Sequence, residues 1–261
     1  MAREWNAAAY EGLSSPQTRW GAEFLGRLEL AGDEDVIDAG CGTGRVTRLL
    51  LERLPRGTVL AVDGSRAMVE AAGKRFAGEP RVRVEHQDLL ELEVEEPVDL
   101  IFSTATFHWV KDHPRLFDSL ARALRPGGRL AAQCGGEGNI SRATRATLKV
   151  MGWPRFRSFF EGWDDDKTYA GSDETKARLG AAGFEDVRAW LHEELTGFGS
   201  VDELARFLAT VVLGGHLEKL PEEEREPFAA AVAGEIVAVD GEPLLDYVRL
   251  NMMATRSGGG A

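Results

Sequence analysis

The chain has 261 residues, 43% of them apolar, enough for one large α/β domain or two small ones with a buried core. A formal net charge of -12 opposes long-range attraction to nucleic acid or an anionic membrane, and leaves a small molecule as the expected partner. No apolar run nears the roughly 18 residues of a membrane span. "MAREWNAAAYEGL" has no basic segment followed by an apolar one, and Cys41 and Cys134 supply neither metal-ligand spacing nor a disulfide framework, so a cytoplasmic chain without a metal is expected.

In chain order, "PQTRWGAEFLGRLEL" (16–30) brings Phe24, Leu25 and Leu28 to helical spacing. "DVIDAG" is short, apolar and β-branched and runs into a glycine cluster, after which Val46 to Leu54 turn helical. The pattern repeats: "TVLAVD" (58–63), the helical "SRAMVEAAGKRF", "VRVEHQD" (82–88), "VDLIFST" (98–104), a helix near 113–124, a turn at "RPGG" and a strand in "RLAAQCG". Five strands alternating with helices, several apolar almost throughout, predict a parallel sheet covered on both faces. Residues 136–170 hold Trp153, Phe156, Phe159, Phe160, Trp163 and Tyr169 without a clear strand, and read as a cover that is either a satellite core or a substrate-contacting lid. "SDETKARLGAAGFEDVRAWLHEE" predicts helix, turn and strand; helices near 201–214 and 221–237 precede a last strand, "LDYVRLNMMAT", and a frayed "RSGGGA" tail.

In an open parallel sheet a ligand binds beyond the carboxyl ends of the strands, which directs attention to "VIDAGCGTGRVTRLL". Gly40, Gly42 and Gly44 permit unusual dihedrals and close approach, but the third position of a G-x-G-x-x-G pattern falls on Arg45, which weakens a pyrophosphate reading. Asp38, two residues before the loop, would repel a phosphate and attract an ammonium or sulfonium group. Asp63 closes the second strand and Asp88 the third. Each could bind ligand or simply cap the helix that follows.

"VIDAGCGTG", "VDGSRAMVEAA", "HQDLLEL", "VDLIFSTATFHWV" and "LRPGGRLA", in this order and spacing, resemble the successive motifs of class I S-adenosylmethionine-dependent methyltransferases, and "DLIFSTATFHWVKDH" resembles the trans-aconitate methyltransferase-like group. The resemblance implies a single domain over 1–261 with a doubly wound, mostly parallel seven-stranded sheet in the order 3-2-1-4-5-7-6. It implies a cofactor-binding core at about 30–135 and helical cover insertions at about 136–175 and 200–242. It also implies that S-adenosylmethionine is the cofactor, its methionyl part held by the loop of Gly40, Cys41, Gly42, Thr43 and Gly44 with Asp38 beside its charged groups. Asp63, followed by Gly64, would take the ribose hydroxyls, Asp88 and Leu89 the adenine edge, and Ser103 and Thr104 would line the methionyl side. Met68 and Leu89 would sandwich the adenine, although Met68 by itself reads as core first. Tyr10, Gln17 and Trp20 would fold over the cofactor.

Methyl transfer from a sulfonium is a direct displacement, so a base is needed only for a hydroxyl or ammonium acceptor. His108 is the candidate base, with a packed ring as the alternative; His113 reads as capping or solvent-facing, and Trp109 as pocket wall or core. A polycarboxylate acceptor calls for clustered arginines, and Arg142, Arg145, Arg155 and Arg157 in the cover form no evident clamp. The competing readings are a cofactor-binding protein without transferase activity, a nucleotide-dependent oxidoreductase and a nucleic-acid methyltransferase. Against the second, Tyr10, Tyr169 and Tyr247 are followed four positions on by Ser14, Asp173 and Asn251 and never by lysine. Against the third, "STATFHW" stands where an Asn/Asp-Pro-Pro-aromatic phrase is expected.

Overall fold

The computed structural model describes residue 4, residues 15–165 and residues 167–258; the expected contact of Tyr10 lies outside the described residues. Helix α1 (Ser15–Leu25) precedes strand β1 (Asp35–Ala39), followed by α2 (Arg45–Glu52), β2 (Thr58–Asp63), α3 (Arg66–Arg75), β3 (Val82–His86), β4 (Val98–Thr104), α4 (His113–Ala123) and β5 (Leu124–Gly135). Then come α5 (Ser141–Met151), α6 (Ser172–Ala181), β6 (Phe184–Gly197), α7 (Val201–Phe207), α8 (Gly214–Glu218), α9 (Glu222–Asp240) and β7 (Leu244–Arg256). The described residues form a seven-stranded sheet in the order β3-β2-β1-β4-β5-β7-β6, as the resemblance implied. The pairs from β3 to β5 are parallel, and β7 pairs antiparallel with both β5 and β6.

The apolar strands are explained by burial on two faces. In β1, Ile37 packs with Phe117, Leu120 and Leu250 on one side of the sheet, while Val36 packs with Phe24, Leu50 and Leu100 on the other. A central parallel strand has no solvent face, so its pattern is a run and not an alternation. A third cluster joins Trp20, Val150, Phe156, Phe160, Phe207, Phe228 and Tyr247, so the aromatic segment and the helices near the C-terminus share one satellite core. Among the described residues no helix is long and apolar enough to cross a membrane.

Several boundaries differ from expectation. Helix α1 stops at Leu25 and not near residue 30, because the Arg53 guanidinium reaches back from the end of α2 and donates to the carbonyls of Leu25 (3.0 Å) and Leu28 (2.8 Å), which terminates the helix from outside. Strand β3 ends at His86, two residues before Asp88. The cover contains a regular helix, α5, where only an aromatic cluster is evident in sequence. The single helix expected over 201–214 is interrupted by a π-helical turn at Leu208–Val212, in which the Leu213 amide reaches the Leu208 carbonyl five residues back at 2.8 Å. His113 is buried, its Nε2 on the Phe107 carbonyl (3.1 Å) and its Nδ1 against Arg178 (3.2 Å), so it neither faces solvent nor caps.

Arg53→Met keeps the apolar stem and removes both donors to the end of α1. It is expected to destabilise the protein by about 1–3 kcal/mol, read as a lower urea midpoint at unchanged slope; an unchanged midpoint would remove Arg53 as the terminator.

Candidate functional site

The loop between β1 and α2 uses its three glycines differently. All have positive φ (Gly40 83°, Gly42 55°, Gly44 82°). A Cβ on Gly40 would stand 2.1 Å from Thr106 Oγ1 and one on Gly44 2.5 Å from Phe76, so these two let neighbouring side chains close on the loop. A Cβ on Gly42 would meet nothing within 4 Å, so the loop opens to a ligand there. The loop amides are engaged inside the protein: Gly40 and Cys41 donate to the Val62 carbonyl (2.8 and 2.9 Å), Gly42 to Asp63 Oδ2 (2.9 Å) and Gly44 to the Cys41 carbonyl (3.0 Å). A phosphate cradle needs such amides free. The oxidoreductase reading loses its binding element on this observation.

Asp38 is buried at the end of β1, with one carboxylate oxygen receiving the Thr47 hydroxyl at 2.6 Å. Burial, reinforced by the nearby Asp63 charge, pushes its carboxyl up to about 7. Asp63 accepts the Gly42 and Ser65 amides (2.9 and 2.8 Å), yet burial still holds it above the usual carboxylate range. The Cys41 thiol is pushed well up by burial and by the same two acids, which fits a small inert loop residue. Gly64 gives its carbonyl to His86 Nε2 (2.9 Å), and Met68 is buried on α3. Ser65 caps α3, and the carboxylate of Glu4 receives the Ser65 hydroxyl (2.8 Å) and the Arg66 amide (3.0 Å), a contact not anticipated from sequence. Asp88 is exposed and accepts the Leu90 amide (3.0 Å), capping a short turn that buries Leu89. Ser103 is buried with its hydroxyl on the Ala39 carbonyl (2.6 Å), where it ties β4 to β1 and does not line the cavity.

Two cavities meet beyond the carboxyl end of β4. The first lies over the loop and is lined by Asp38, the segment from Gly40 to Thr43, Gln17, Thr104 and Ala105. The second, a cleft with about 660 Å³ of empty space, shares Gln17, Thr104 and Ala105 with the first and continues past His108 and Trp109 to Tyr169, Lys167 and Arg249. Ala105, at the junction, and Ile140, on the cleft wall, both have positive φ, a conformation that a non-glycine residue holds only where its surroundings impose it. The cover contributes Val211 and Val212 from the π-helical turn, so it is at once satellite core and cleft wall.

The described lining of the cleft includes two cations and no Asp or Glu. Lys167 pairs with Asp165 (2.8 Å) and lies 5.3 Å from the Trp109 ring centre. Arg249 is buried and pairs with Glu194 (2.7 Å), while its Nε has no acceptor among the described residues. Such an unanswered buried donor costs about 1–3 kcal/mol until something binds it. Gln17 Oε1 is likewise buried without a donor and lines both cavities. Arg142, Arg145 and Arg155 pair instead with Asp240 and Glu224 outside the cleft, and Arg157 does not line it.

His108 lines the cleft but is not built as a base. Its Nδ1 accepts the Gly135 amide (3.2 Å), its ring stacks on Tyr169, and burial with Lys167 nearby pulls it down to about 3. With Nδ1 occupied as an acceptor, the neutral ring carries its proton on Nε2. Of the two expectations for this residue, a general base or a packed ring, these contacts favour the packed, neutral ring.

The family of methyltransferase domains matches residues 36–128. A trans-aconitate 2-methyltransferase of Methylobacterium nodulans is 30% identical over 97% of this chain and 99% of its own length, and one of Azoarcus sp. is 31% identical over the same shares. The chain belongs to the trans-aconitate 2-methyltransferase family. It is therefore an S-adenosylmethionine-dependent methyltransferase of class I. In fold it is also similar to a Mycobacterium tuberculosis cyclopropane synthase, with a TM-score of 0.60 at 19% identity over 93% of this chain and 85% of that one.

The donor set of this methyltransferase fits its cofactor: Asp38 and Gln17 Oε1 are two buried acceptors on one cavity, suited to the cationic amino-acid and sulfonium portion, and Gly42 leaves room beside them. Sequence reasoning missed Arg249, Lys167 and Glu194. The available signal was positional, for in β7 the polar Arg249 and Asn251 interrupt an apolar strand at period two with Tyr247.

Asp38 gives the methyltransferase a pH signature. Its folded value of about 7 lies above the ordinary 3.8, so the empty folded protein holds a proton that the unfolded chain has lost, and stability falls as pH rises through that window. A cationic ligand favours the ionised form. Cofactor affinity is expected to rise by up to about tenfold per unit below pH 7 and to level above it, with proton release seen calorimetrically in buffers of different ionisation heat. Asp38→Asn should abolish the release, and pH-independent binding by the native protein would contradict this assignment.

Proposed function

We propose that the methyl group is transferred to a carboxylate oxygen of a small polycarboxylic acid, with trans-aconitate, the substrate for which the relatives are named, as first candidate. The observation that carries this is the cleft: in a protein of net charge -12, a cavity lined by Arg249 and Lys167 and by no described acid, opening onto the cofactor loop at Gln17, Thr104 and Ala105, is built for an anion.

When bound, the cofactor supplies an electrophilic methyl on a cationic sulfur, which a carboxylate accepts without losing a proton. The chain's contribution is then placement and exclusion of water. Asp38, Gln17 and the loop from Gly40 to Gly44 hold the methionyl part. Asp63 meets the ribose with the acceptor directions left beyond its bonds to Gly42 and Ser65, and Gly64 lies beside it. Asp88 with Leu89 addresses the adenine edge, Met68 and Leu89 flank it, Thr104 lines the point of transfer, and Ser103 braces the strand beneath. Trp20, Trp109 and His108 belong to the acceptor side, where His108 offers Nε2–H to an oxygen of the acid. With no base required, the neutral ring of His108 is consistent with the chemistry.

Given labelled donor and equal concentrations of a tricarboxylate, an amine and a phenol, the protein is expected to methylate the acid alone. His108→Ala should raise KM for the acid about 2–10-fold, the effect of one neutral hydrogen bond, and leave kcat at saturating cofactor flat between about pH 6 and 8, as in the native protein. Methylation of the amine or phenol in preference to the acid would overturn the proposal, and an inflection near 6.5 that vanishes in the variant would restore the general base.

A further inference from the structure

Arg249, Glu194 and Trp20 form a closed ring of contacts, and Arg249 and Trp20 line the cleft. Arg249 Nη2 donates to Glu194 Oε2 (2.7 Å), Trp20 Nε1 donates to Glu194 Oε1 (3.0 Å), and the guanidinium carbon lies 4.7 Å from the centre of the Trp20 ring. Arg19 adds a further bond to Glu194 Oε1 from outside. Glu194 is thus held on β6 by three donors, and Arg249 on β7 is held by a carboxylate at its end and an aromatic face beneath it. The guanidinium is fixed while its Nε–H lacks an acceptor among the described residues. An arginine whose only role was to balance Glu194 would not need to line a cavity with an unanswered donor.

The register places this ring relative to the transfer point. Thr104 pairs with Gln133 on β5, and Arg249 pairs with Gly135, two residues further along β5 and one strand further across the sheet. Two strand spacings of about 4.8 Å separate Thr104 from Arg249 across the sheet. A short dicarboxylate together with an extended arginine side chain covers that span, with one carboxylate at the junction and the other at the guanidinium.

Resting on the carboxylate reading above, we infer that Arg249, oriented by Glu194 and Trp20, anchors a second, non-reacting carboxylate of the acceptor and so makes the enzyme select di- and tricarboxylic acids over monocarboxylic ones. Glu194 is a positioning residue that touches no substrate and acts by holding the guanidinium.

The test compares glutaconate with crotonate, an unsaturated diacid and the monoacid that lacks its second carboxylate. Native protein should prefer the diacid by at least about tenfold in kcat/KM. Arg249→Met should raise KM for the diacid by about 10–100-fold with little change in kcat and leave the monoacid nearly unaffected, Arg249→Lys should restore part of the preference, and Glu194→Gln should raise KM for the diacid alone by a smaller factor. Equal use of both acids by native protein, or equal losses on both in Arg249→Met and Arg249→Lys, would overturn the anchor while leaving carboxylate methylation standing. Failure of native protein to methylate any acid would instead remove the underlying reading, and the anchor with it.

Discussion

An acid and two cations are buried on either side of Thr104 and Ala105. On the loop side stands Asp38 with its carboxyl pushed up to about 7, and on the cleft side stand Lys167 and Arg249. A compact protein tolerates buried charge only when it is paired or awaits a partner. Here Lys167 pairs with Asp165 and Arg249 with Glu194, while Asp38 accepts the Thr47 hydroxyl and has no cation partner among the described residues. The arrangement suits a cationic donor on one side and an anionic acceptor on the other, brought together where water has little access.

The sheet makes this arrangement possible. Parallel strands β1 and β4 end side by side, so that Asp38 and Thr104 open to one edge, while antiparallel β7 passes Arg249 up to the same edge from the opposite direction. Ser103 fastens β4 to the Ala39 carbonyl of β1, and Ala105 turns the chain in a left-handed conformation immediately beyond. The cover closes the far wall through the π-helical turn at Leu208–Val212, whose irregular winding carries Val211 and Val212 to the cleft while Leu208 and Phe207 stay in the satellite core. One segment thereby serves packing and recognition.

How much of this was legible in the sequence depended on whether a feature is local. Strands β2 and β4 are bounded by their own apolar runs, and both were read to the residue. The glycine loop and Asp38 are contiguous, so their relation was visible before any fold. The end of α1 was not, because it is set by Arg53, which lies 28 residues beyond the carbonyl of Leu25 that it takes. Arg249 looked like an ordinary strand residue because its partner Glu194 is 55 positions away and Trp20 lies near the other end of the chain. The four arginines considered in the cover drew attention by clustering in sequence, yet three of them answer acids outside the cleft. For His108 the sequence leaves a general base and a packed ring both open, because its basicity is decided by the Gly135 amide and by burial, neither of which a motif records.

The bond formed by the transferred methyl group distinguishes a carboxylate acceptor from every other. After turnover with methyl-labelled cofactor and a tricarboxylate, mild alkali should release the label from the product as methanol, as an ester requires. Label that survives alkali, held on nitrogen, carbon or a phenolic oxygen, would contradict the assignment of a carboxylate acceptor and with it the reading of the cation-lined cleft.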